Sequence, residues 1–227
     1  MKRKDFLKKG FAAFGLAVSA PSIISSCSKD GGSGSTGSAT SCVTSPAETA
    51  GPYPTKSPAS FLLKDIRNDR MGTPMTLNIS VQNISNNCAA LEGALVDVWH
   101  CDKDGNYSEY GSETAVHYLR GRQATNSAGI AAFLTIFPGW YPGRAPHIHV
   151  EVFNASGKSL LVTQIAFQSD VCDTVYTTVT DLYKKGKQDT SNTRDGIFSD
   201  SLADELGTLK GSTSTGYTLE HTIKVKA

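Results

Sequence analysis

Short segments in which apolar or β-branched residues alternate with polar ones recur along this chain, with Gly, Pro, Asn and Asp between them. That pattern confines it to sheet architecture. Residues 75–81 alternate, residues 94–99 are apolar and β-branched, residues 130–137, 147–153 and 160–167 follow, and residues 217–226 alternate for a whole decapeptide. No helical periodicity separates them, so the expected fold class is all-β, an antiparallel β-sandwich with long loops. Residues 173–185 and 200–206 are expected to form short peripheral helices. The chemistry must then sit at strand ends and in loops.

The N-terminal region follows a different logic. A basic leader (Lys2, Arg3, Lys4, Lys8, Lys9) precedes an apolar stretch from Gly10 to Ile24, and Ile24-Ser-Ser-Cys27 has the form of a lipobox. The apolar stretch is shorter than the ~20 residues that span a bilayer as a helix. Residues 1–26 therefore read as a lipoprotein signal peptide whose cleavage leaves a lipidated Cys27. Arg3-Lys-Asp-Phe-Leu-Lys8 is also similar to a twin-arginine export signal, with Lys in place of the second Arg. Loss of five basic groups and Asp5 would take the net charge from +1 to −3. Membrane attachment is then expected only through lipid on Cys27. Residues 27–41, nearly all Ser, Gly, Thr, Lys and Asp, cannot bury a core and read as a flexible tether. Residues 42–227 form the one expected domain.

Balanced charge argues against a nucleic-acid surface and for a small-molecule partner. Of the five cysteines, Cys42, Cys88, Cys101 and Cys172 lie in that domain. In an exported domain an even number predicts two disulfides, with three pairings open.

His147-Ile148-His149 is the sharpest chemical signal. In a strand the two imidazoles share a face and Ile148 points to the other layer, which makes a preformed pair of metal ligands. Tyr141 lies six residues before the first histidine, and upstream a strand runs into a polar turn that presents Tyr107. Asp102, Asp104, Asn106 and Glu113 have calcium-loop spacing, but Tyr107 stands where such a loop requires Gly. His100 reads either as support for the metal site or as a structural residue. His117 reads as a border of the substrate pocket, and His221 as a core or edge residue.

Gly51-Pro-Tyr53, Val96-Asp-Val-Trp-His-Cys-Asp-Lys-Asp-Gly-Asn-Tyr-Ser108, Leu119-Arg-Gly-Arg-Gln123, the run from Phe133 through Pro-Gly-Trp-Tyr141 to His149, and Thr163-Gln164 occur in this order. Together they resemble the intradiol ring-cleavage dioxygenases, the catechol, hydroxyquinol and protocatechuate 3,4-dioxygenase type, and in particular a short exported branch of lipoprotein type. The resemblance implies a mononuclear non-haem Fe(III) held by Tyr107, Tyr141, His147 and His149, with O2 as co-substrate and a small aromatic diol as substrate. Tyr107 is implied as the ligand displaced by substrate and Tyr141 as the one retained. Arg144 is implied beside the bound diol, and Gln164 near the substrate and oxygen site. The implied product is a cis,cis-muconate-type diacid. The donor set agrees with this on chemical grounds, because phenolate is a hard anionic donor that favours the ferric state. The stretch between Tyr141 and His147 is shorter than in the catechol and protocatechuate enzymes, and the helical dimerisation segment of the catechol enzymes has no counterpart here. Two other readings fit the bare pattern: a transthyretin-like binding module, and an exported copper- or zinc-binding protein.

Overall fold

A computed structural model describes residues 42–227. The signal peptide, Cys27 and the tether lie outside the described residues. Two sheets face each other. The first is built on β1 (Pro74–Asn83), which pairs along one edge with β2 (Ala89–Ala90) and β5 (Ile130–Ile136), and along the other with β9 (Gly216–Val225), itself paired with β8 (Thr208–Ser212). The second has the order β4 (Arg120–Ala124), β3 (Leu95–Trp99), β6 (His147–Phe153), β7 (Ser159–Ala166). The helices are α1 (Ser169–Thr178) and α2 (Leu202–Glu205), both shorter than the sequence pattern predicts. None of the described helices is long and apolar enough to cross a membrane.

The sandwich is as expected with one difference: β1 and β9 run parallel, with Met75 opposite Tyr217 and Val81 opposite Ile223. All other strand pairs are antiparallel. The two strands are far apart in sequence, so no tight hairpin forces them into opposite directions.

Alternation decides which residues form the core. Met75, Leu77, Ile79 and Val81 of β1, with Leu219, Ile223 and Val225 of β9, face Val96 and Val98 of β3, Ile148, Val150 and Val152 of β6, and Leu161 and Ile165 of β7. The outer face of the second sheet is also buried, and it is polar. One register row crosses all four of its strands, placing Arg120 opposite Trp99, Trp99 opposite His149, and His149 opposite Gln164. In the next row Arg122 forms a two-pronged ion pair with Asp97, whose carboxyl burial holds above its usual value despite the guanidinium. Loops, not a further sheet, cover this face.

One disulfide forms, Cys42–Cys88, with Cα atoms 5.8 Å apart. The expectation of two is corrected: Cys101 and Cys172 are free thiols, each buried. Cys101 packs with Trp99 and Tyr107, and Cys172, on the buried side of α1, packs in the main core. Burial pushes the Cys101 thiol up to about 12, so both behave as small apolar side chains.

Alkylation should therefore leave Cys101 and Cys172 unmodified in the folded protein and label both after denaturation without reductant, while Cys42 and Cys88 react only after reduction. Cys42→Ser should lower unfolding stability by about 2–4 kcal/mol, read from denaturant midpoints. Labelling of Cys42 without reductant would contradict the assignment.

Candidate metal centre

The pleat of β6 aims His147 and His149 away from the hydrophobic core while Ile148 enters it. Both imidazoles are buried, at 2% and 0% exposure. His147 Nδ1 lies 2.6 Å from the carbonyl oxygen of Ala145, which can only accept, so Nδ1 carries the proton and Nε2 presents a lone pair. Three polar atoms crowd that lone pair: Tyr141 Oη at 3.1 Å, His149 Nε2 at 3.1 Å and Tyr107 Oη at 3.4 Å. One nitrogen lone pair cannot satisfy all three neighbours. A cation shared among the four would.

Each donor is held by its own support. His149 stacks on Trp99 with ring centroids 5.1 Å apart and planes 2° from parallel. Gly51 packs against the ring at Cε1, in the left-handed region at φ +68°, where a Cβ would come 2.9 Å from His149 Cε1. Tyr107 sits on the long connection between β3 and β4. Asp102 turns its start by accepting from the backbone N–H groups of Asp104 and Asn106, both at 2.9 Å. Arg120 anchors its middle, donating to Ser108 Oγ at 2.8 Å and to the Ser108 carbonyl at 2.7 Å. Tyr141 is half-buried on the connection between β5 and β6.

Electrostatics favour neutral groups until a cation arrives. Burial, then the charge of Arg144, pushes His147 down to about 3; burial and His147 hold His149 well below the usual imidazole range. Burial raises the phenol of Tyr107 well above its ordinary value and that of Tyr141 above its own. A bound cation would reverse the tyrosine shifts by stabilising phenolate. Among the described residues no group of three or more His, Cys, Asp or Glu is placed to hold a metal, so a cation here must draw on the phenol oxygens.

Arg144 and Gln164 also converge. Arg144 pairs with Asp195 at 2.9 Å and donates to Gln164 Oε1 at 2.7 Å, while Gln164 Nε2 donates to the Thr49 carbonyl at 2.9 Å. Asp195 accepts from the N–H groups of Ala145 at 2.7 Å and Ile197 at 2.9 Å. Burial opposes ionisation of its carboxyl, but these donors and Arg144 outweigh it and hold the group below its ordinary value.

Asp195, Trp99, Arg120 and the strap through Thr49, Gly51 and Tyr53 carry support that the sequence motifs alone did not assign. His100 does not join the cluster. Its Nδ1 donates to the Cys101 carbonyl at 2.8 Å and its Nε2 pairs with Thr135 Oγ1 at 2.7 Å, so it is structural. His117, expected at the pocket border, instead pairs with Glu109 at 2.9 Å and packs on Phe61, in a hollow separate from the tyrosines. His221 is half-buried on β9, as expected.

A dioxygenase family model matches residues 50–202. An intradiol ring-cleavage dioxygenase from Tetranychus urticae has a similar structure, with TM-score 0.73 and 27% identity over 82% of this chain and 95% of that one. The dioxygenase domain of a carbohydrate-binding fusion protein from Streptomyces sp. SirexAA-E superposes with TM-score 0.62 and 25% identity, over 82% and 99%. The chain belongs to the intradiol ring-cleavage dioxygenase family. Among curated relatives, chlorocatechol 1,2-dioxygenase of Rhodococcus opacus is 31% identical over 125 residues, which is 46% of this chain and 48% of that enzyme. The match thus spans about half the length of that relative.

Between pH about 6.5 and about 4 the unfolded chain binds protons that buried His100, pushed down to about 4, and His147 exclude. Stability of the metal-free protein therefore rises with pH across that window and is lost on acidification, by roughly 1 kcal/mol or more per pH unit near its centre. Urea midpoints measured from pH 7 to 4.5 should fall accordingly; a flat profile would contradict neutral buried imidazoles.

Proposed function

We propose that this protein is an Fe(III)-dependent dioxygenase that cleaves a catechol-type diol between its two hydroxylated carbons, with O2, to a cis,cis-muconate-type dicarboxylate. The observation that carries the reading is the convergence of Tyr107 Oη, Tyr141 Oη and His149 Nε2 on His147 Nε2 within 3.1–3.4 Å, in a chain of the intradiol family. Tyr107, Tyr141, His147 and His149 would hold the iron. Two phenolates offset most of the charge of a ferric ion, and two neutral imidazoles complete a hard donor set. Bound there, ferric iron would acidify the diol and draw electron density from its ring, opening the ring to oxygen.

The chain's own groups have separable roles. Tyr107 and Tyr141 both border an open cleft, so a diol entering from that side reaches these two residues. In this reading Tyr107, implied by the family likeness as the exchangeable ligand, takes up one of the diol protons. Arg144 lies close enough to lower both imidazoles, and it is oriented by Asp195 and Gln164 before substrate arrives. It would stabilise negative charge building on the ring, where a fixed cation in a water-poor site acts strongly. The segment carrying Gly51 and Tyr53 closes over His149 and Tyr107 and keeps water from that side.

Iron-loaded protein should absorb broadly in the visible through tyrosinate-to-iron charge transfer, change hue on addition of catechol, and consume O2. His147→Ala and His149→Ala should lose iron and activity. Tyr107→Phe should keep iron while turning over more slowly, and Arg144→Ala should lower kcat about 100-fold. A colourless protein carrying zinc at full occupancy, or normal activity in either histidine variant, would overturn the reading.

We also propose that the domain is exported and anchored through lipid on Cys27. The Cys42–Cys88 disulfide supports an oxidising compartment. Labelled palmitate fed to a bacterial host should appear on the protein and be lost in Cys27→Ala; an unlabelled protein would remove the anchor.

A further inference from the structure

The cleft bordered by Tyr107 and Tyr141 has a volume of about 380 Å3. That falls in the range of about 300–1,000 Å3 typical for drug-sized ligands, so a single benzenediol ring would leave most of it unfilled. Its remaining wall is aromatic on one side. Tyr53 stacks on Tyr107 with centroids 4.8 Å apart, and Tyr110 meets Tyr53 edge-on at 5.2 Å. Both walls are fixed: Tyr110 Oη donates to the Pro54 carbonyl at 2.6 Å, and the Tyr53 carbonyl accepts from Arg120 at 2.9 Å.

Charge on this wall is one-sided. None of the residues lining the cleft is Lys, Arg or His, and Glu113 is the one charged residue among them. The cations nearby touch the wall residues without lining the cleft: Lys56 Nζ lies 4.7 Å from the centroid of the Tyr110 ring and the Arg120 guanidinium 5.5 Å from it. Arg120 is fully buried on Ser108, Tyr53 and Thr55, Lys56 donates to the Glu109 carbonyl at 2.7 Å, and Lys185 donates to the Trp140 carbonyl at 2.6 Å. Arg144 is tied to Asp195 and does not line this cleft. A carboxylate on the far side of a bound diol would face Glu113 with no cation among the residues that line the cleft.

We infer, on the reading that the chain cleaves diols, that this cleft selects uncharged catechols bearing a flat aryl extension and turns away those bearing a carboxylate. Tyr53 and Tyr110 form the surface on which the extension packs, and Glu113 is the group that rejects the acid. An offset or edge-on aromatic contact accounts for a preference of about 2- to 10-fold, and an unpaired like charge for about tenfold more.

The test compares kcat/KM by oxygen uptake, in the iron-loaded full domain, for catechol, 4-phenylcatechol, 3,4-dihydroxybenzoate and its methyl ester. Calorimetric Kd values are measured for the same four compounds. The ester should exceed the acid about tenfold or more, and 4-phenylcatechol should exceed catechol. Glu113→Gln should narrow the gap between ester and acid. Tyr53→Ala should lower the 4-phenylcatechol to catechol ratio, and Tyr53→Phe should restore it. These are ratios between substrates, which a general loss of fold or iron would not move. An acid handled as well as its ester, or a phenyl group without advantage, overturns the selectivity while leaving ring cleavage intact. Absence of turnover with every diol overturns the enzymatic reading instead, and the order of the Kd values then decides the selectivity.

Discussion

The two-residue repeat of β6 is the constraint on which the rest of the structure depends. Ile148, Val150 and Val152 are committed to the space between the sheets, and a slip of one residue would turn them onto the polar face and bury the histidines in hydrocarbon. The apolar packing of one face therefore sets the aim of His147 and His149 on the other. Antiparallel register then carries the order sideways, placing Trp99 on one flank of His149 and Gln164 on the other. The stacking plane, the imidazole of His149 and the amide that orients Arg144 are thus three consecutive positions in one row of a sheet. Such a row is stiff, which suits donors that must stay in place while a substrate exchanges.

Burying a polar row under loops has an electrostatic cost that the surrounding network offsets. Arg120 is enclosed and spreads its donors over Ser108, Tyr53 and Thr55; Arg144 shares its charge with Asp195; Arg122 closes on Asp97. The guanidinium groups of Arg120 and Arg144 also hold loops in place, so removing one partner would leave a buried charge and a freed loop together. What these pairs do not satisfy is the centre itself, where neutral imidazoles and protonated phenols crowd one lone pair. The unsatisfied part of the network coincides with the part that faces the cleft.

Much of this was legible in the sequence wherever a local rule governs the outcome. Alternation marks six of the nine strands and the shared face of the histidines, and ordered motifs mark Tyr107, Tyr141, Arg144 and Gln164. What alternation does not encode is which distant segments meet. Asp195 follows Arg144 by 51 positions with no pattern linking them. The parallel pairing of β1 and β9, the stack of Trp99 on His149, and the short strands β2, β4 and β8 arise from tertiary register alone. The cysteines show the same limit from the other side: parity predicts two bridges, yet Cys101 and Cys172 serve as buried apolar volume in separate clusters.

The strap over the centre is stitched to the sandwich by weak links, among them Ser45 to Lys224, Glu48 to Val162 and Gln164 to Thr49. Immediately upstream of all of them stands a covalent one, Cys42 to Cys88. Any tension reaching the domain through residues before Cys42 passes into the disulfide and on to Cys88, next to β2, without crossing the strap. The bridge thus acts as a strain relief, like the clamp where a cable enters a housing: the piece of chain that covers the imidazoles is mechanically isolated from whatever pulls on the N-terminal side.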